Sequence, residues 1–430
     1  MSSVCTAISE FGWDLFKEIS KDGAQKNIFL SPFSISAALA MVSYGARGNT
    51  EAQMEKVLHF RESQHTGTSG SGDSSATGSQ KPCNVNEPTA ADSQCDRPGG
   101  IHSQFQALLL QLNKPSNKYE LSIANRLYGS MDFPFEQHLR KVRTSQTQYY
   151  MRSNICVHNL QKYLRCTKEL YHAGLESVDF EKAQTSENIN SWVSSQTQGK
   201  IKDLFPEGSL DPPIAMVIVN AIYFKGLWSS RFKKENTKEA PFRVNKNMSK
   251  NVPMMFQNGD FKYAAIQEPA LQLLELPYAN KEIHMIILLP NNGDFSNQFA
   301  TFLTYKNIEE WTSSMYCQKV NVYLPKFKLE EKYNLKATLQ SMGMTLPFER
   351  SKAGLSGISE KQGLFVSRVT HKSFVEVNEE GTEAAAATGV TAVPMSAQIP
   401  VDFKANVPFF FIIFHNLFKC PLFIGRYATP

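Results

Sequence analysis

The segment Ala215–Phe224 (AMVIVNAIYF) sets the hardest condition on this chain. It is apolar at every position but one and rich in Val and Ile, the pattern of a strand buried on both faces. Such a strand needs a sheet with covering layers on either side. The chain can supply them: it has 430 residues, 42% hydrophobic and 20% charged, a composition that folds and excludes disorder as the overall state. The polar exception, Asn220, must find a hydrogen-bond partner inside that interior.

The other elements are read from periodicity. Val4, Ile8, Phe11, Leu15 and Ile19 recur at helical spacing and predict a helix over 4–20. Ser31-Pro32 then opens a second helix through Ser34–Tyr44, because proline's missing N–H costs nothing in a first turn. Gln104–Leu112, a stretch around Ile189, Trp192 and Val193, and a short one marked by Tyr333, Leu335, Leu339 and Met342 read as helices. Leu121–Tyr128, Leu271–Leu276, Ile283–Leu289, Val320–Leu324, Leu364–Val377 and the last 25 residues read as strands. Helices come mostly first and strands mostly later, which predicts an α+β fold.

Residues 61–100, rich in Ser, Gly, Thr, Asn, Asp and Pro, bury too little apolar surface to order themselves and are expected to form a long polar loop within one domain of 1–430. Residues 138–161 lack apolar periodicity and carry Arg140, Lys141, Arg143 and Arg152. They read as an atypical basic insertion without a role of its own, in preference to a nucleic-acid arm. A net charge of +5 over this length is weak evidence for a polyanionic partner. The longest apolar runs, Met285–Leu289 and Phe409–Phe414, are far short of the ~20 residues of a membrane helix. Seven scattered cysteines without C-x-x-C, and no signal-peptide layout, predict a reduced cytoplasmic setting. Cys83 and Cys95 share one polar stretch and could pair only after export. No phosphate-binding loop, nucleophile elbow or metal-ligand spacing occurs, so neither an enzyme nor a metal or cofactor is expected.

Residues 381–400 (GTEAAAATGVTAVPMSAQIP) are a different kind of segment. Laid out as a strand, Thr382, Ala384, Ala386, Thr388, Val390 and Ala392 share one face, all small or β-branched and uncharged. The opposite face carries Glu383, Ala385, Ala387, Gly389, Thr391 and Val393. The same stretch can sit as an exposed loop or a short helix, so it is able to live in two states. Pro394-Met395-Ser396 then offers an unbranched apolar side chain on a stiffened approach, which is protease bait.

These residues carry a resemblance to the serpin family. Glu379–Gly389 is similar to the hinge of inhibitory serpins, and Phe403–Phe409 with Pro421–Gly425 and the final Pro430 to the family's C-terminal signature. Asn27–Ala40, Val219–Trp228 and His371–Ser373 resemble three further core blocks, so the likeness runs over nearly the whole chain except 61–100 and 138–161. The absent signal peptide and the long polar loop resemble the ovalbumin-type intracellular clade. The resemblance implies three β-sheets, eight or nine helices and an exposed reactive-centre loop over 381–402. It implies a monomeric serine protease inhibitor, not an enzyme, that acts as a suicide substrate. The protease would cleave Met395–Ser396, and the hinge Gly381, Thr382, Glu383, Ala384, Ala385, Ala386, Ala387 and Thr388 would then insert into the large sheet. A methionine before the bond suits elastase-like or chymotrypsin-like serine proteases. The resemblance also assigns Ser31, Ser34, Asn220 and His371 to a shutter beneath the opening strands, and Trp228, Lys326 and Glu379 to a breach where the hinge enters.

The alternative is a non-inhibitory serpin, with a binding, storage or structural role, that is cleaved only as a substrate. The chain departs from the family pattern at Gly354, where relatives carry Asp, and in the apolar Phe414, Leu417 and Phe418 of its last hairpin.

Overall fold

The computed structural model describes residues 3–23, 25–60, 94–133, 135, 160–210, 213–279, 281–291, 297–380 and 399–430. Among them run nine helices: α1 (Ser3–Ser20), α2 (Pro32–Gly45), α3 (Gly48–Val57), α4 (Ile101–Leu112), α5 (160–171), α6 (Gln184–Gln196), α7 (Asn297–Phe302), α8 (Tyr305–Ser313) and α9 (Lys336–Ser341). The strands are β1 (Ile28–Leu30), β2 (Tyr119–Ser130), β3 (Leu175–Val178), β4 (Met216–Gly226), β5 (Lys238–Asn245), β6 (Met248–Ile266), β7 (Leu271–Pro277), β8 (Ile283–Pro290), β9 (Tyr316–Pro325), β10 (Phe327–Asn334), β11 (Val366–Val377), β12 (Val401–Lys404), β13 (Phe409–His415) and β14 (Cys420–Tyr427).

Strand β4 explains the architecture. Met216, Ile218, Ile222 and Phe224 point into the main core with α1, α2 and the C-terminal strands. Val217, Val219, Ala221 and Tyr223 point the other way, onto Ile189, Val193, Ile201, Leu204 and Phe205 of α6 and the loop after it. Period-two alternation with both sides covered is what the continuous apolar run required. Asn220 lies on the main-core side, against the start of α2. The five-stranded sheet has the order β10-β11-β4-β2-β3, with β4 in its centre. Strands β11 and β4 run parallel, with His371 beside Asn220, while β10–β11 and β4–β2 are antiparallel.

The other strands form one continuous sheet, β1-β14-β13-β8-β7-β6-β9-β12, in which β5 pairs the first part of β6. The expected second and third sheets therefore share the nineteen-residue β6: its end pairs β7, and its middle pairs β9. No helix of the described residues is long and apolar enough to cross a membrane.

Several sequence readings are corrected. Tyr333 belongs to β10 and not to the short helix, which starts only at Lys336. Residues 94–100 are anchored, in contrast to the rest of the expected polar loop, which lies outside the described residues. The Tyr44 hydroxyl donates to the Cys95 carbonyl (2.8 Å), and Asp96 accepts from the Ser103 amide (2.8 Å). Cys95 is bonded not to Cys83, which lies outside the described residues, but to Cys166 on α5, 71 residues away. Packing of α5 against α2 and α4 brings the two together. Of the basic insertion, 160–161 open α5; the rest lies outside the described residues. Gly354 fits its place. It accepts from the Arg47 amide (2.8 Å), and an added Cβ would lie 2.7 Å from the Arg47 carbonyl, so the aspartate of relatives would not fit unshifted. In the last hairpin, Leu417 is 69% exposed, while Phe418 lies against the His415 ring at 4.8 Å.

Candidate functional site

Ser31 is where the local sequence and the site meet. It caps α2: its hydroxyl accepts from the Ser34 amide (3.1 Å), one of the donors a helix start leaves without an internal partner. The same hydroxyl donates to the Leu422 carbonyl of β14 (2.7 Å), and the Ser31 amide donates to His371 Nε2 (3.2 Å). Because Nε2 accepts, the proton sits on Nδ1 and is donated to Asn220 Oδ1. Asn220 Nδ2 in turn donates to the Ser34 carbonyl (3.0 Å) and to Asn125 Oδ1, and the Ser373 hydroxyl donates to the Phe29 carbonyl (2.6 Å). The four residues grouped as a shutter thus form one buried, neutral network under the β11–β4 seam. Burial pushes the His371 ring down to about 3, so it is neutral throughout the physiological range.

The network has a member that sequence reading missed. Asn125 of β2 stands opposite Asn220 in register and also accepts from the Ser34 hydroxyl (3.4 Å). In YELSIANRLYGS, Asn125 is one of several polar positions in a strand whose burial follows no simple alternation. Nothing in a single sequence separates it from the solvent-facing ones.

The second cluster closes the end of the seam where the chain leaves β11. Trp228, just beyond β4, stacks on Tyr278 (4.5 Å between ring centres) and donates through Nε1 to the Asn378 carbonyl (2.9 Å). Gly226 is required beneath this stack, since a Cβ there would lie 2.4 Å from the Tyr278 ring. Glu379 is 6% exposed, pairs with Lys326 (3.1 Å), accepts from the Thr237 hydroxyl (3.0 Å), and gives its carbonyl to the Phe232 amide (3.2 Å). Burial by itself raises the Glu379 pKa. Hydrogen bonds from its own backbone, Lys326 and Thr237 outweigh that and hold the carboxyl below its usual value. Trp228, Lys326 and Glu379 are therefore brought together as grouped, with Thr237, Asn378 and the Lys234–Glu380 pair added by the fold.

Glu379→Gln tests this closure. Lys326 is nearly half exposed and its pair is worth little, so most of the loss comes from Thr237 and the buried carboxylate's own bonds. The expected cost is about 1–2 kcal/mol, read as a melting temperature lower by a few degrees. An unchanged melting temperature would mean that the latch holds nothing shut.

Gly381–Thr388, Met395 and Ser396 lie outside the described residues; the chain is described again from Ile399, which is 92% exposed. Among the described residues no group of three or more His, Cys, Asp or Glu could hold a metal ion.

Residues 6–430 match the family described as Serpin (serine protease inhibitor). Human Serpin B11 is 42% identical over 434 residues, and the leukocyte elastase inhibitor of the horse 40% over 438, each alignment covering 100% of both chains. The solved structure of uncleaved ovalbumin matches with a TM-score of 0.78 at 36% identity, covering 99% of this chain and 100% of that one. On a family match of that extent, and on relatives that align from end to end, the chain belongs to the serpin family.

Proposed function

We propose that the chain inhibits serine proteases as a suicide substrate, with cleavage at Met395–Ser396 and insertion of the hinge Gly381–Thr388 into the five-stranded sheet. One observation carries this reading: β11 and β4 are parallel neighbours, and the hinge follows directly on the end of β11. A segment that turns back from Val377 would enter between them antiparallel to both. One parallel contact, slightly the weaker kind per residue, would be exchanged for two antiparallel ones. The seam is held from beneath by uncharged groups, so parting it exposes no bare ion.

The small, uncharged face of Thr382, Ala384, Ala386 and Thr388 fits such an interior. The methionine before the bond favours elastase-like or chymotrypsin-like proteases, and a relative carrying the name leukocyte elastase inhibitor supports the same class. In this reading the chain is a monomer that needs no cofactor and is not itself an enzyme. Its setting is cytoplasmic by the sequence criteria; the Cys95–Cys166 bond supports the exported alternative, since cytosolic thiol systems keep such pairs reduced.

The test is to mix the protein with neutrophil elastase and, separately, with chymotrypsin. A heat- and detergent-stable band at the summed mass, with release of the peptide that begins at Ser396, is the expected result. Cleavage after Met395 with no stable band and no gain in melting temperature would make the chain a substrate, and its role a non-inhibitory one.

A further inference from the structure

The outer face of the five-stranded sheet carries a charge arrangement that the insertion chemistry does not use. Lys332 of β10 and Lys372 of β11 stand directly opposite each other in the antiparallel pair, a placement that destabilises a sheet when nothing intervenes. Arg368, four residues before Lys372, shares that face. Lys332 Nζ and the Arg368 guanidinium both lie over the ring of Phe205, at 5.8 and 5.9 Å. Phe205 belongs to the loop after α6, and that loop also brings Lys200 and Lys202. The Lys200 ammonium is 5.7 Å from the Tyr223 ring, and the Lys202 carbonyl accepts from Lys372 Nζ (2.7 Å).

The carboxylates on these segments do not balance the patch. Glu330 is committed to Lys372 (2.9 Å), Glu376 accepts from Asn378 further along the face, and the covering loop carries Asp203 beside Lys202 and Glu207 near Ser209 in sequence. Lys332 has no carboxylate within ion-pair distance among the described residues. Burial, then Lys372 and Arg368, lower its pKa.

We infer that Lys332 and Arg368, with Lys200 and Lys202 from the covering loop and the buried Lys372 adding its charge, bind a compact anion bearing several phosphate groups, of the inositol polyphosphate class. The cations arrive from three segments: Lys332 and Arg368 share the Phe205 ring, and Lys200 stands over Tyr223 of the same apolar cluster. That suits an anion with charge on all sides; a linear chain would run off the patch after one or two contacts. Phosphate oxygens would accept from the lysine ammoniums and from the Arg368 donors not engaged with the Ser209 carbonyl. The occupant would tie the loop after α6 to β10 and β11 and cancel the Lys332–Lys372 repulsion.

The probe is inositol hexakisphosphate, followed by calorimetry and by melting. Binding is expected at about 0.05 M salt, weakening at least tenfold by about 0.3 M, with a rise in melting temperature on saturation. Lys332→Gln is expected to weaken binding roughly tenfold while melting, without ligand, at the same or a higher temperature, because it removes a repulsion. That second readout separates loss of the site from loss of the fold. The remote Lys114→Gln should change neither. Absence of binding at low salt, or equal losses in Lys332→Gln and Lys114→Gln, would overturn the site. A sulfated oligosaccharide that binds more tightly than the compact probe, with the same dependence on Lys332, would overturn the ligand class.

Discussion

Ala386→Arg is expected to abolish trapping of the protease while leaving cleavage at Met395–Ser396 intact. Insertion between β11 and β4 would carry Ala386 into a sheet whose central strand is buried on both faces. An unpaired guanidinium there costs several kcal/mol, and at ~1.4 kcal/mol per factor of ten the partition between trapping and turnover shifts by a hundredfold or more. The stoichiometry of inhibition, counted as inhibitor molecules consumed per protease molecule, reads this directly. The neighbouring Ala385→Arg lies on the opposite face, which already carries Glu383, and is expected to raise that stoichiometry far less. Equal behaviour of the two variants would show that the alternation of faces does not govern insertion. Full trapping by Ala386→Arg would remove strand insertion from the mechanism altogether.

Local patterns were legible: the helical repeat of α1, the Ser31-Pro32 start of α2 and the nearly continuous apolar run of β4, each of which the burial follows. Helix α3 was not legible. Only Thr50, Met54 and Val57 are buried among its ten residues, too few to raise a helical stripe above its polar background. Strand β6 hides for another reason: it pairs β5, then β9, then β7 along its length, so its exposed and buried positions change rhythm. Tyr333 misled because its spacing from Leu335 and Leu339 suits a helix, while its phenol in fact accepts from the Phe29 amide (3.2 Å) across the core.

The site divides along the same line. Ser31, Ser34, Asn220 and His371 were found as members of a resemblance, and the geometry then supplied their reason: a helix cap, a carbonyl, an amide and a ring that satisfy one another. Asn125, Thr237 and Asn378 were not found. Each contributes through its place in space, and each is an ordinary polar residue in its own segment. Cys95–Cys166 is the extreme case, because no spacing rule connects cysteines 71 residues apart.

Acid is expected to loosen the closed sheet, starting well above the carboxylate range. His371 titrates near its ordinary 6.5 when unfolded and at about 3 when buried, so the unfolded chain takes up the proton first. Stability from this group is full above pH 6.5 and falls as the pH drops toward 3, by about 1.4 kcal/mol per pH unit and about 2 kcal/mol by pH 5. The structural cause is specific: a second ring proton would sit on Nε2, facing the Ser31 N–H, and set donor against donor. His102, pushed by burial to about 4, acts with the same sign. Glu379 acts later: its pKa is lowered in the fold, so its contribution is present above the usual carboxylate value and is lost below it. Denaturant midpoints measured between about pH 7 and pH 5 read the histidines against one carboxylate, Glu331, which burial raises to about 6 and whose contribution has the opposite sign. His371→Gln, neutral at every pH, is expected to start less stable by roughly 1–3 kcal/mol and to lose one proton's worth of the slope. If His371→Gln kept the full slope over that window, His371 would not be the group that acid reaches, and the loosening would have to begin at His102 or His415, both lowered by burial.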